Sequence, residues 1–189
     1  MNVEIIPYEE KYKEDVQNVC LDTAGSNARE PLVTRYLLST FCDYYIEQEG
    51  SHCFIAVDRD IDKAIGYIFC APDYNRYKRI FKAKYLPRVK GCAKEDERES
   101  WCSMVAPMFF KHKYPAHMHT DIKPGYQHMG IGTRMMQTLL THLKEEGVKG
   151  MMLIVGAGNT SAQKFYMKNG LHKVFVIKNL GMVMARKIG

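Results

Sequence analysis

Residues 117–150 read HMHTDIKPGYQHMGIGTRMMQTLLTHLKEEGVKG, and the order of the parts decides the fold. The opening alternates: His117, His119 and Asp121 fall on one face of a strand, Met118, Thr120 and Ile122 on the other, which predicts a strand over Ala116–Ile122. A turn bearing Pro124, Gly125, Gly130 and Gly132 follows. Then Met135, Met136, Leu139, Leu140 and Leu143 form one continuous helical face, predicting a helix over Thr133–Glu146. Glycines at 130 and 132 let the backbone approach a ligand closely. The free N–H groups of the first helical turn, added to the helix dipole, then make a cradle for a phosphate or pyrophosphate.

Working outward, the pattern continues as strand Met151–Val155, helix Thr160–Lys168 and strands Leu171–Ile177 and Met182–Arg186, an α/β alternation. Upstream, an alternating segment Asn2–Ile6 precedes a helical stretch Tyr8–Cys20 with Tyr12, Val16, Val19 and Cys20 on one side. A Gly/Ser/Asn loop spans Thr23–Glu30, and Pro31 opens a second helix that should run to about Glu47. His52–Val57 and Ala64–Ala71, separated by a charged turn, read as a hairpin. Residues 73–115 break this rhythm and read as an insertion, with a basic aromatic helix first and an acidic loop after it.

The chain has 189 residues, 46% hydrophobic and 25% charged, which suits one globular domain with an insertion. Such a length buries roughly 70% of the unfolded surface, so no disulfide or metal staple is required. The longest apolar runs fall well short of the ~20 residues of a membrane span, and the N-terminus lacks the basic and apolar segments of a secretory signal. A cytoplasmic location is expected. The six cysteines are widely spaced without a C-x-x-C pair, against a zinc or disulfide framework. A net charge of +6 is modest. Neither it nor the basic run Arg76–Lys90 shows the wider pattern of a nucleic-acid reader.

Three cofactor classes use a phosphate cradle. Gly125 and Gly130 have the spacing of a Walker loop, but Ile131 and Gly132 stand where Lys and Ser/Thr are required, which excludes that class. A dinucleotide fingerprint needs a third glycine where Met135 stands. Q-x-x-G-x-G at Gln127–Gly132 remains. With Pro124 before it and N-x-x-A-x-x-x-Y-x-x-x-G at Asn159, Ala162, Tyr166 and Gly170 after it, the region 116–171 resembles the Gcn5-related N-acetyltransferases.

The resemblance implies a mixed, mostly antiparallel sheet with a V-shaped split between two central parallel strands, helices on both faces, and acetyl-CoA as co-substrate. It implies that Ile122 and Lys123 pair with the pantetheine arm, while Gln127 and the N–H groups of His128, Met129, Gly130, Ile131, Gly132 and Thr133 hold the pyrophosphate. Asn159 aligns with an asparagine that contacts the cofactor arm, and also reads as a helix N-cap. Tyr166 aligns with the tyrosine that protonates the departing thiolate; packing of the helix is the alternative.

Many members carry a glutamate on the strand before the loop. This chain has none there, so His117 and His119 are the candidates for the general base, since imidazole titrates near neutrality. Both also read as buried structural polar groups, and His117, His119 and Asp121 lack the further ligands of a metal site. The H-x-H-x-D-I-x-P-x-Y-Q-x-x-G-x-G stretch is most similar to bacterial stand-alone relatives of the acetyltransferase-like domain of O-GlcNAc hydrolases. In such proteins the insertion borders the acceptor, making Tyr74, Tyr77, Phe81, Tyr85 and Trp101 candidate walls; Tyr77, Phe81 and Tyr85 recur at helical spacing and also read as a buried helix face.

The expectation is therefore an N-acetyltransferase that passes acetyl directly to an amine of a small molecule or peptide. The alternative is a catalytically silent acyl-CoA-binding or protein-interaction module of the same fold. A homodimer through the final strands is expected only by analogy.

Overall fold

In the computed structural model, which describes residues 2–178 and 181–189, a seven-stranded sheet runs in the order β1-β2-β3-β4-β5-β7-β6. The strands are β1 (Val3–Pro7), β2 (Cys53–Asp58), β3 (Lys63–Ala71), β4 (Ala116–Ile122), β5 (Gly150–Val155), β6 (His172–Ile177) and β7 (Gly181–Lys187). Every neighbouring pair is antiparallel except β4 and β5. The helices are α1 (Lys13–Thr23), α2 (Pro31–Phe41), α3 (Asp43–Gln48), α4 (Tyr74–Ile80), α5 (Lys94–Val105), α6 (Ile131–Glu145) and α7 (Thr160–Lys168).

Strand alternation divides the core in two. Tyr67 and Phe69 of β3 face one side and pack with Val16 and Val19 of α1, Tyr44 and Tyr45 of α3, and Tyr77 of α4. Ile68 and Cys70 face the other side, where Met135, Met136, Leu139 and Leu143 of α6 and Tyr166 of α7 cover the sheet. The apolar stripe read from the sequence of α6 is the buried one, and burial of each such large side chain contributes roughly 2 kcal/mol.

Two expectations are corrected. The helix opened by Pro31 does not continue to Glu47: it turns a corner at Cys42, where φ is −127° and ψ is −66°. Cys42 still donates to the Leu38 carbonyl, while the amides of Tyr45 and Ile46 return to the Cys42 carbonyl. The corner swings Tyr44, Tyr45 and Ile46 into the core. The acidic half of the insertion is helix α5 rather than a loop. Its first turn carries Glu95, Asp96 and Glu97, which suit the positive end of the helix dipole.

The basic half of the insertion begins with α4, capped by Asp73, whose Oδ1 accepts the amides of Asn75 at 2.7 Å and Arg76 at 3.0 Å. It continues through a π-helical turn at Phe81–Tyr85 and a 3-10 turn at Leu86–Val89. Arg76 pairs with buried Glu49, and Arg88 with Asp43 and Glu47, so two cations of the run bind the insertion to α3. Tyr74, Tyr77, Phe81 and Tyr85 are each at most 2% exposed. They are core, not the walls of an acceptor pocket; Trp101 stays half exposed.

Candidate active site

The site begins where the central strands part. β4 and β5 pair at Ala116 with Met151 and at His117 with Met152, and nowhere beyond. On its other edge β4 is paired with β3 along its length, from His117 opposite Ala71 to Ile122 opposite Gly66. The Lys123 amide donates to the Ile65 carbonyl at 2.9 Å. By the alternation of an antiparallel ladder, the main-chain groups of 117, 119 and 121 also turn to β3, those of Ala116 and Met118 face the β5 junction, and those of Thr120 and Ile122 turn into the opening beyond it. Unpaired backbone amides in a cleft accept an amide-bearing chain. Of the two residues expected to meet the pantetheine arm, Ile122 offers its amide to the cleft, its carbonyl being taken by Gln127, whereas the Lys123 amide is already engaged.

The loop after β4 is held by its own side chains. Gln127 Nε2 donates to the Ile122 carbonyl at 3.0 Å, and Tyr126 Oη donates to Oδ2 of buried Asp58 at 3.1 Å. Gly125 has φ +91°, His128 +64° and Gly130 +78°, so the chain turns left-handed three times before α6 begins. No side chain caps α6. The first-turn amides of Ile131, Gly132 and Thr133 therefore remain open to an anion, flanked by exposed His128 and Met129. Gly132 has a different reason to be glycine: a Cβ there would meet the Phe165 ring at 3.1 Å and Ile122 Cδ1 at 3.2 Å.

The two histidines share a face but not an environment. His117 is buried, its ring centroid 4.1 Å from that of Tyr77 and 5.8 Å from that of Tyr45, and neither ring nitrogen has a hydrogen-bond partner. Burial, with a smaller contribution from His119, pushes its pKa down to about 3. His119 is partly open, its side chain 29% exposed. It lies against Phe41 of α2 and Tyr67 of β3, at ring-centroid distances of 5.3 and 5.7 Å. Its Nε2 stands 3.0 Å from Oδ2 of Asp121, the same oxygen that accepts the Tyr67 hydroxyl at 2.6 Å.

Tyr166 approaches from α7, buried, and the Asp121 charge reaches it. Burial first, then that charge, hold its phenol well above the ordinary tyrosine range, so it is a proton donor at neutral pH. Asn159 caps α7, its Oδ1 accepting the Ala162 amide at 3.0 Å. Among the described residues no three His, Cys, Asp or Glu side chains converge as a metal site, and no helix is long and apolar enough to cross a membrane.

Phe41, Tyr67 and the Asp58–Tyr126 contact were not expected from the sequence. The tyrosine opposite Asp121 lies 54 residues away and becomes visible only once the β3–β4 register is known.

A sheet split at its parallel pair, with an uncapped helix N-terminus beside the opening, makes a cleft suited to an extended ligand with an anionic end. The chain belongs to the acetyltransferase (GNAT) family, whose pattern matches residues 21–171. Solved structures share the fold. SsHAT superposes with a TM-score of 0.84 at 24% identity, over 100% of both chains. PH1933 from Pyrococcus horikoshii gives 0.68 at 17%, covering 100% of this chain and 99% of that one. The PaiA N-acetyltransferase from Thermoplasma acidophilum, solved with coenzyme A, gives 0.62 at 16%, over 99% of both. Family and fold together support acetyl transfer from acetyl-CoA.

Proposed function

We propose that this protein transfers acetyl from acetyl-CoA directly to an amine of a small molecule or peptide. The observation that carries the proposal is the opening between β4 and β5. It has the main chain of Thr120 and the Ile122 amide on one wall, the uncapped start of α6 at one end, and His119 paired with Asp121, whose charge also reaches Tyr166. Bound there, acetyl-CoA supplies an activated thioester carbonyl. The residues proposed for the cofactor are the Ile122 amide for the pantetheine arm, Gln127 bracing the loop, the amides from His128 to Thr133 for the pyrophosphate, and Asn159 beside the arm; the main chain of Lys123 is engaged by Ile65 and Tyr126 and is not among them.

The chemistry needs one proton removed and one supplied. As the amine nitrogen bonds to the thioester carbon, its surplus proton passes to His119, directly or through one water. As the carbon–sulfur bond breaks, the Tyr166 hydroxyl protonates the sulfur, and solvent returns the His119 proton to the tyrosinate. General acid and base groups of this kind each contribute roughly 10² to 10⁴ in rate. His119 is favoured over His117 because it is open to solvent and partnered, whereas His117 is enclosed by tyrosines and held neutral.

The test is thermal unfolding with acetyl-CoA, free CoA, ATP and NAD, followed by release of CoA thiol with a panel of amines. A midpoint rise for the two CoA species alone, with thiol release for at least one amine, is the expected result. A CoA-specific rise without turnover for any amine would make the chain a silent acyl-CoA-binding module instead.

A further inference from the structure

We infer that Asp121 is a positioning residue that holds the proton of neutral His119 on Nε2 and so makes Nδ1 the nitrogen that receives the acceptor's proton. The inference rests on the acetyl-transfer proposal for its catalytic meaning and on the geometry alone for the placement of the proton.

Among the described residues, the ring nitrogen of His119 that faces a protein acceptor is Nε2. Nε2 lies 3.0 Å from Oδ2 of Asp121, and an ionised carboxylate is acceptor-only, so the nitrogen in front of it must be the one that carries hydrogen. In a neutral imidazole the other nitrogen is then the base. The carboxylate is itself fixed. Tyr67 donates to the same oxygen at 2.6 Å, and Thr120 Oγ1 donates to the Tyr67 carbonyl at 2.7 Å, tying that tyrosine to the neighbouring residue of β4. The His119 ring is flanked by Phe41 and Tyr67, which limits its rotation.

A carboxylate on the far side of the ring also lies where the imidazolium charge develops when Nδ1 takes a proton. The same charge reaches the Tyr166 phenol and opposes its ionisation. One carboxylate thus favours the protonated form of the base and of the acid, so Tyr166 keeps its proton in the resting site. Strand alternation makes the pairing possible: positions 119 and 121 share a face, two residues apart on the edge of the opening.

The tautomer is read directly by ¹⁵N NMR of the imidazoles in the wild-type protein at neutral pH, with His119 assigned by its loss in His119→Gln. The expected spectrum shows Nε2 protonated and Nδ1 bare. In Asp121→Asn the side-chain amide can donate to Nε2, moving the proton to Nδ1. That variant should lose about a hundredfold or more in kcat, by analogy with the wrong-tautomer effect in serine proteases, with KM for acetyl-CoA changed less than about twofold. A wild-type ring protonated on Nδ1 would overturn the inference, as would Asp121→Asn with wild-type kcat. Should the tautomer be as stated while no amine is acetylated, acetyl transfer is what fails and the proton placement stands.

Discussion

The ring of Phe165 fills the space that a side chain on Gly132 would need, with a Cβ at 132 falling 3.1 Å from both Cε2 and Cζ. The first turn of α6 and the body of α7 are thus in contact through a position with no side chain, and Tyr166 is the next residue along α7. Gly132→Ala should push the two helices apart, costing about 1 to 2 kcal/mol as overpacking. KM for acetyl-CoA and kcat should both suffer. Gly130→Ala meets nothing within 4 Å but places alanine at φ +78°, costing about 1 kcal/mol through backbone strain alone. Urea unfolding with steady-state kinetics separates the two; equal kcat in both variants would contradict the contact argument.

Tyr166→Phe keeps the ring that packs under α7 and removes only the hydroxyl. The variant should unfold at the wild-type midpoint within about 1 kcal/mol and lose roughly 10² to 10⁴ in kcat. Because the phenol is held far above its ordinary range, an alkaline limb in the wild-type rate below pH 10 belongs to another group. Unchanged turnover in this variant would remove Tyr166 from the chemistry.

His117 links stability to pH. Its folded-state pKa of about 3 lies below the ordinary 6.5, so the folded protein resists a proton that the unfolded chain accepts. Its contribution is fully present above about pH 6.5 and is lost as pH falls, at up to about 1.4 kcal/mol per unit, until pH approaches the folded value. His117→Phe places a ring among Tyr45 and Tyr77 without a titrating group. The gap between wild type and variant in urea midpoint should widen in the variant's favour between pH 7 and pH 4.5. A constant gap would show that His117 does not titrate as described.

Tyr126→Phe tests the loop that leads to the cradle. The hydroxyl is the loop's tie to buried Asp58, and its loss leaves that carboxylate with one fewer donor and the loop without this anchor. KM for acetyl-CoA should rise several-fold while kcat holds, because no atom of Tyr126 is proposed to touch the reacting centre. A fall in kcat at constant KM would place the residue differently.

Local pattern carried far in this chain where one face is apolar and the other polar. Strand Ala116–Ile122 and helix Thr160–Lys168 lie where alternation and helical spacing predict them, residue for residue. The shared face of His117, His119 and Asp121 was legible for the same reason. The acidic helix α5 was not, because only Ser100 and Met104 of its residues are buried and so no apolar stripe marks it. Nor was the difference between the two histidines. It arises from Tyr45 and Tyr77, contributed by α3 and α4 from distant parts of the chain. Likewise the corner at Cys42 follows from where the core lies, and no proline or glycine announces it.

The two-residue junction between β4 and β5 makes the sheet two smaller ladders, β1 to β4 and β5-β7-β6, stitched at Ala116 and His117. An amide-bearing arm lying in the opening would act as an interior strand and complete the seam. Cofactor binding would then be felt as cross-linking: amide hydrogen exchange should slow along β5 and β7 as well as in β4, far beyond the atoms the cofactor touches. The site would thus lend the protein rigidity only while it is in use.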